Sequence, residues 1–227
     1  DQETLLPRLA VGQVIEAAEV SATDHTTQPT PRYTEATLVK ELEARGIGRP
    51  STYASIIQTI QDRGYVWHKG QTLVPTFTAI AVVRLLEKHL PDLVDYDFTA
   101  RMEDELDAIA RGDREAVPWL HDFYFGTESG GGSRTMSEGL HRLIDDANET
   151  VDPREASRIM ELGSTEDGRQ VGVRIGRYGP YIEASDNGEK RTASIPPDLA
   201  PADLTPDRAA ELLAQGQAAP ARLGDDP

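Results

Sequence analysis

The spacing of apolar residues changes once along the chain, and that change limits what it can fold into. Up to about residue 125 they recur at helical intervals, whereas from Arg158 onward they alternate with a period of two. Between the two regimes lies Thr127-Glu128-Ser129-Gly130-Gly131-Gly132-Ser133, a flexible linker by composition. The predicted class is therefore α+β: a mainly helical domain over 31–126, a linker over 127–134, and a small antiparallel sheet with one covering helix over 135–227. At roughly 150 residues per domain, 227 residues suffice for one or two units with their own cores.

Within the helical half, Thr34 is the predicted N-cap of a helix carrying Leu38 and Leu42, stopped by Gly46. After Ile47-Gly48-Arg49-Pro50, Ser51 is the expected cap of a second helix, with Tyr53, Ile56, Ile57 and Ile60 on one stripe. Tyr65-Val66-Trp67 and Thr72-Leu73-Val74 read as a hairpin across Lys69-Gly70, and a third helix carries Ile80, Val83 and Leu86. Helix, tight turn, helix, hairpin, helix is the layout of a winged helix. Thr99 is the predicted cap of a helix ending at Gly112, and Trp119, Phe123, Tyr124 and Phe125 close the unit. Residues Leu5 to Val20 read as a short extended piece, joined to the rest by a connector holding Pro29 and Pro31.

Beyond the linker, strands are predicted over 158–162, 170–175 and 180–183, with a fourth running through Ile195 after the hairpin turn Asn187-Gly188. Pro206 opens a last helix that presents Ala210, Leu213 and Ala214 to the sheet.

Composition removes several function classes. Zero cysteines exclude a disulfide framework, thiolate metal sites and cysteine nucleophiles. The longest apolar run, Ala79 to Val83, is far short of the ~20 residues that span a bilayer, so no membrane role is expected. The start Asp1-Gln2-Glu3 has neither the form of a signal peptide nor an initiator Met, and a fragment of a longer protein is expected. The five histidines show no ligand spacing, and Glu103-Asp104-Glu105-Asp107 reads as a solvated helix face rather than a Mg²⁺ site. With no phosphate loop or nucleophile elbow, no catalytic and no metal residue is assigned.

Two clusters carry chemistry. In Arg45 to Tyr53, Arg49 precedes a helix start where the N–H groups of Thr52 and Tyr53 and the hydroxyls of Ser51 and Thr52 favour an anion. Arg63 ends the same helix about 17 Å from Thr52, so the two arginines could hold successive phosphates of one strand. The competing reading makes Ser51 only a cap and pairs the arginines with Glu43 or Asp62. In Arg174-Ile175-Gly176-Arg177-Tyr178-Gly179-Pro180-Tyr181, two arginines and two tyrosines on a sheet form a platform for stacking bases. Its competing reading packs one tyrosine in the core while the glycines merely turn the chain.

Pro31 to Ala36, Leu38 to Glu43, Gly46 to Ile57, Thr59 to Val66 and Tyr96 to Glu103 together resemble the bacterial type IA DNA topoisomerase I family over residues 1 to about 125. Gly176-Arg177-Tyr178-Gly179-Pro180-Tyr181, preceded by Leu143-Ile144-Asp145 and Arg158-Ile159, resembles one zinc-free C-terminal repeat of that family. The resemblance implies that 1–30 end a hinge-like arch and that 31–126 grip single-stranded DNA beside the active site. It puts Arg49, Ser51, Thr52, Tyr53 and Arg63 along the cleaved strand, and Arg174, Arg177, Tyr178 and Tyr181 on the DNA-binding face of the repeat.

The same resemblance implies an ATP-independent, Mg²⁺-using isomerase that cleaves, passes and reseals a strand, relaxing negative supercoils. The family's nucleophilic tyrosine has an arginine two residues on, which Tyr33 and Tyr178 lack, and the acidic Mg²⁺-binding domain is not found. This chain is therefore expected to hold DNA without cleaving it, and to need no cofactor of its own. Expected partners are single-stranded DNA, the rest of a topoisomerase chain, and RNA polymerase or other basic proteins. The expected setting is a monomer in the nucleoid-associated cytoplasm. A winged-helix duplex reader or a protein-docking module is the alternative.

The formal charge of −16 first argues against nucleic acid. It is unevenly spread: residues 32–67 hold five basic and four acidic side chains, residues 87–115 four basic and ten acidic. The acids thus lie away in sequence from the proposed strand-binding surface, and weak, local DNA binding is the expectation.

Overall fold

The computed structural model describes residues 10–14, 21–127, 133–164, 168–186 and 189–218. Asp1–Pro31 and Arg32–Pro227 form separate compact units. In the first unit the described residues include no helix or strand; Gln13 N–H donates to the Ala10 carbonyl across a turn at Val11-Gly12. Most of the predicted extended piece, the centre of the 127–134 linker and the Asn187-Gly188 turn lie outside the described residues.

The second unit opens with α1 (Glu35–Ala44) and α2 (Tyr53–Asp62). Thr34 caps α1 as expected: its hydroxyl accepts from Thr37 N–H while the Thr37 hydroxyl accepts from Thr34 N–H. A hairpin of β1 (Val66–Lys69) and β2 (Thr72–Pro75) follows, in register Val66 to Pro75. Leu73 N–H also donates to the Tyr33 carbonyl, so the residues entering α1 lie along the outer edge of β2. Thr76 caps α3 (Phe77–His89), and a 3₁₀ turn over Pro91–Val94 leads into α4 (Tyr96–Arg111). That helix starts before the predicted Thr99. Asp95 is the cap, its carboxylate accepting from Phe98 N–H, while the Thr99 hydroxyl donates to the Asp95 carbonyl. Asp95 stands four residues before Thr99, and its charged acceptor suits the helix dipole better.

Trp119 of α5 (Ala116–Phe125) is buried and stacks on Phe123, with ring centroids 5.6 Å apart. Three short helices that the sequence reading did not assign fill the way to the sheet: α6 (Arg134–Glu138), α7 (Leu140–Thr150) and α8 (Pro153–Ala156). The docking of α6 and α7 against α5 is tight. At Gly139, φ is +83° and a Cβ would lie 2.3 Å from the Phe125 carbonyl carbon, so only glycine fits. The buried Thr135 donates its N–H to Asp92 at 2.7 Å.

The sheet has four antiparallel strands in chain order: β3 (Arg158–Ser164), β4 (Gln170–Gly176), β5 (Gly179–Asp186) and β6 (Glu189–Ser194). Ile159, Val173 and Ile182 project to one face and are fully buried. Each such side chain contributes about 1.5–3 kcal/mol by leaving water. The C-terminal helix α9 (Pro206–Ala218) covers that face with Ala209, Leu212 and Leu213. Of the three residues predicted to do so only Leu213 is buried; Ala210 and Ala214 are exposed. In an alanine-rich helix the small side chains fit either phase, and the leucines decide it. A second helix also touches this core, where one was expected. Phe77 of α3 belongs to the same buried cluster, with Ala81 packed against it. An apolar helix such as α3 can serve two layers because it carries hydrophobic side chains around most of its circumference.

Candidate nucleic-acid interface

The Arg45–Tyr53 cluster folds as a tight connection between α1 and α2. Gly48 adopts φ +74°, and a Cβ there would meet Ile56 Cδ1 at 2.9 Å and Tyr53 Cε1 at 3.1 Å, so a side chain would be held in left-handed backbone and would push both neighbours aside. The N–H groups expected to be unpaired are not. Thr52 and Tyr53 both donate to the Arg49 carbonyl, and Thr52 rather than Ser51 is the N-cap residue. The Thr52 hydroxyl turns back to bond the Arg49 N–H and carbonyl, which closes the turn on itself.

Arg49 is held from the other side by α4. Its Nε donates to Asp107 Oδ2 at 3.0 Å, Nη2 to Asp104 Oδ1 at 3.1 Å, and Nη1 to the carbonyls of Gly46 and Gly48. Glu103 of the same helix accepts the Gly48 N–H at 3.1 Å. The hydrogen bond to Asp107, joined by the charges of Asp107, Glu103 and Asp104, raises the Arg49 pKa further above its ordinary range. The competing partners named from sequence, Glu43 and Asp62, are not the ones used, and the acids remote in sequence are not remote in space. They lie on the face of α4 that meets the turn, one helical turn apart at Glu103 and Asp107. These carboxylates are spent on cations and an N–H, which does not fit a metal site; among the described residues no three acidic or histidine side chains converge on a metal position.

Two members of the cluster stay open. Ser51 is exposed, and neither its hydroxyl nor the guanidinium of Arg63 at the far end of α2 has a partner among the described residues. No hydrogen bond, ion pair or ring contact among the described residues joins this cluster to the second one.

In the sheet, Gly176 pairs with Gly179, so Arg177 and Tyr178 form a two-residue hairpin tip rather than part of a flat face. Tyr178 is 96% exposed, with the Arg177 guanidinium 5.7 Å from its ring centroid. Tyr181 lies opposite Arg174 on the sheet face away from α9, its ring covering Gly176, where a Cβ would come within 3.0 Å of Tyr181 Cε1. Arg174 donates through Nε to Glu183 at 2.8 Å and through Nη1 to the Arg154 carbonyl and the Ser157 hydroxyl. Burial pushes the Glu183 carboxyl up, but hydrogen bonds and charge from Lys190 and Arg174 outweigh it and leave its pKa below the ordinary range. Sequence reading missed Glu183. Its signal was the Gly176–Gly179 tip, which fixes the register and sets Glu183 opposite Gly172, diagonal to Arg174.

Comparison with known proteins supplies what the geometry leaves open. Residues 1–121 match the family described as DNA topoisomerase, and residues 164–222 match the topoisomerase C-terminal repeat. The chain belongs to the bacterial type IA DNA topoisomerase I family. DNA topoisomerase 1 of Mycolicibacterium smegmatis is 52% identical over the whole chain, and that of Streptomyces coelicolor 50%. The chain spans about a quarter of the length of these topoisomerases, 25% and 24%. The full-length topoisomerase I of Thermotoga maritima aligns with 77% of this chain and 26% of its own, at 31% identity and a TM-score of 0.50. The Arg49 turn thus lies in the region matched to the topoisomerase family, and the Arg177–Tyr178 tip in the repeat.

Proposed function

We propose that this chain is the part of a type IA topoisomerase that binds and positions single-stranded DNA, so that the full-length enzyme can cleave it, pass a strand and reseal it. The observation that carries the reading is the hairpin tip, where Tyr178 is almost fully exposed with Arg177 beside its ring. A ring so exposed does nothing for the core, but it offers a stacking face to an unpaired base, and Arg177 adds a cation for the adjoining phosphate. Tyr181 continues that surface along β5 over Arg174, which the carboxylate of Glu183 keeps in place.

In the helical part, the element order together with the Tyr33–Leu73 bond supports a winged-helix reading of residues 31–126. Ser51 and Arg63 contact phosphates there, and Arg49, Thr52 and Tyr53 give the intervening turn its shape. Residues 1–30 close an arch and residues 135–227 are a repeat, joined across 127–134. Nucleolytic chemistry and Mg²⁺ belong to parts of the enzyme outside this chain, which acts without ATP as a monomer in the nucleoid. A basic protein such as RNA polymerase would meet the acidic surface.

The test is fluorescence anisotropy with one labelled oligonucleotide, single-stranded and then annealed to its complement. The expected result is preference for the single strand, with Tyr178→Ala weakening it by about 1–3 kcal/mol. Stronger binding to the duplex, or an unchanged Tyr178→Ala, overturns the reading in favour of a duplex-reading module.

A further inference from the structure

One cleft among the described residues lies mostly apart from the two clusters and shares only Arg174 with the second. It measures about 460 Å³ and runs between the last turns of α3 and the entry to β3, closed below by Arg174. Clefts of about 300–1,000 Å³ are the size that encloses a small ligand or a short stretch of a chain. Its lining is unusual for a chain of charge −16. Five cationic side chains, Arg84, Lys88, Arg154, Arg158 and Arg174, line it beside two acids, Asp152 and Glu155, while Glu183 and Glu161 pair with Arg174 and Arg158 from outside the lining.

Those cations differ in how firmly they are held. Arg84 donates to the Ile159 carbonyl, and Arg174 is locked by Glu183, so these two shape the wall. Lys88 stands 3.6 Å from Glu155 in a pair whose side chains are 65% and 71% exposed, and such a pair is worth little and exchanges readily. The guanidinium of Arg154 has no partner among the described residues. Arg158 faces Glu161 at 3.1 Å on the surface. The cleft is also continuous with the outer sheet face. Arg158 and Arg174 line a second, smaller recess with Gln170, Gly172, Glu183 and Ser185, and Arg174 pairs across the sheet with Tyr181.

We infer that this cleft holds backbone phosphates of the same single strand whose bases stack on the hairpin tip and Tyr181, with Lys88 and Arg154 as its principal contacts. The inference rests on the single-strand reading above and adds to it the path of the strand, from α3 across β3 to the outer face of β4 and β5. Cations that would be idle on a protein-facing surface there neutralise phosphates in sequence, while the apolar stems of Leu85 and Ala156 leave room for sugars.

The experiment measures binding of a labelled oligothymidylate, longer than the about 4–16 nucleotides one such module occupies, across a salt series. It compares the unaltered chain with Lys88→Gln/Arg154→Gln, with Tyr178→Ala and with Arg142→Gln on α7. The double substitution is expected to weaken binding about tenfold at low salt, each exposed ion pair being worth a few-fold. It should also flatten the plot of log K against log salt by about 1.4, or ~0.7 per lost phosphate contact. Tyr178→Ala should weaken binding with the slope kept, and Arg142→Gln should change neither. Circular dichroism melts confirm that each variant folds. An unchanged slope in the double variant, with Tyr178→Ala still weakened, overturns the cleft and leaves the single-strand reading standing. An equal loss in Arg142→Gln overturns it too, since the effect is then one of overall charge. An unaltered chain that binds no oligothymidylate overturns both.

Discussion

Replacing Glu183 with glutamine tests whether the repeat's outer face is an electrostatically fixed surface. The carboxylate is 13% exposed and takes Arg174 at 2.8 Å and Lys190 at 3.1 Å; Arg174 is 14% exposed, Lys190 44%. Removing one member of a buried pair costs about 3–5 kcal/mol, because the other charge stays behind without its counterion. Here Lys190 can turn to water, and Arg174 keeps the Arg154 carbonyl and the Ser157 hydroxyl, which lowers the expected cost to about 2–3 kcal/mol. For a chain of this size that is a drop in Tm of about 4–12 °C. A cycle with Arg174→Met and the double variant isolates the coupling, expected at about 2 kcal/mol.

The pH dependence gives an independent check on the same group. Because the folded Glu183 pKa lies below its ordinary 4.5, its stabilisation is complete above that value and is lost as pH falls through the lowered folded pKa. Glu183→Gln should therefore lose stability at neutral pH and show a flatter acid limb in urea unfolding as pH falls below 4.5. A Tm within about 2 °C of the unaltered chain, together with coupling near zero, refutes the reasoning.

Three further outcomes follow from other parts of the fold. Ile182→Ala should cost about 2–5 kcal/mol in urea unfolding, with the slope of the denaturant plot unchanged, because the fully buried side chain leaves a cavity between sheet and α9. Gly48→Ala should lower Tm, since left-handed backbone costs a non-glycine residue about 1–2 kcal/mol and the added methyl also displaces Ile56 and Tyr53. Tyr178→Ala should leave stability within about 0.5 kcal/mol while weakening oligonucleotide binding, a separation that thermal melts and anisotropy read directly.

Local signals were enough for most elements. Thr34 caps α1 and Pro206 opens α9, because both act through backbone groups a few residues away. What stayed hidden depended on partners distant in the chain. Arg49 meets Asp104 and Asp107 some 55 residues on, and nothing in the Arg45–Tyr53 stretch encodes that α4 brings these acids to the turn. The phase of α9 was misread because alanine is nearly neutral between core and surface, so the apolar stripe had two solutions until Leu212 met the sheet. Of the unassigned helices, α6 and α8 are only five and four residues long and draw their stability from docking, whereas Leu140, Leu143, Ile144 and Ala147 of α7 form a helical stripe that was legible in the sequence. In the Arg174–Tyr181 stretch, composition named the residues but not their geometry. Only pairing Gly176 with Gly179 lifts Tyr178 to the tip and sets Tyr181 back on the face.

On the proposed single-strand reading, the arrangement of charge accounts for how so acidic a chain would offer sites to a polyanion. Arg49 and Arg174, the arginines best placed by sequence, are each clamped by carboxylates, so they stiffen the surfaces and contribute little net positive field. Arg63, Arg177 and Arg154 are exposed without a carboxylate partner among the described residues, and Lys88 is exposed in a loose pair with Glu155. A strand binding there meets fixed positions and few charges, so its affinity should be modest and its register well defined. That combination is what the proposed function asks for, in which this segment presents DNA to a catalytic centre elsewhere and then releases it. It also implies that adding cations at random on this surface would raise affinity without improving positioning, because the new charges would have no carboxylate holding their support in place.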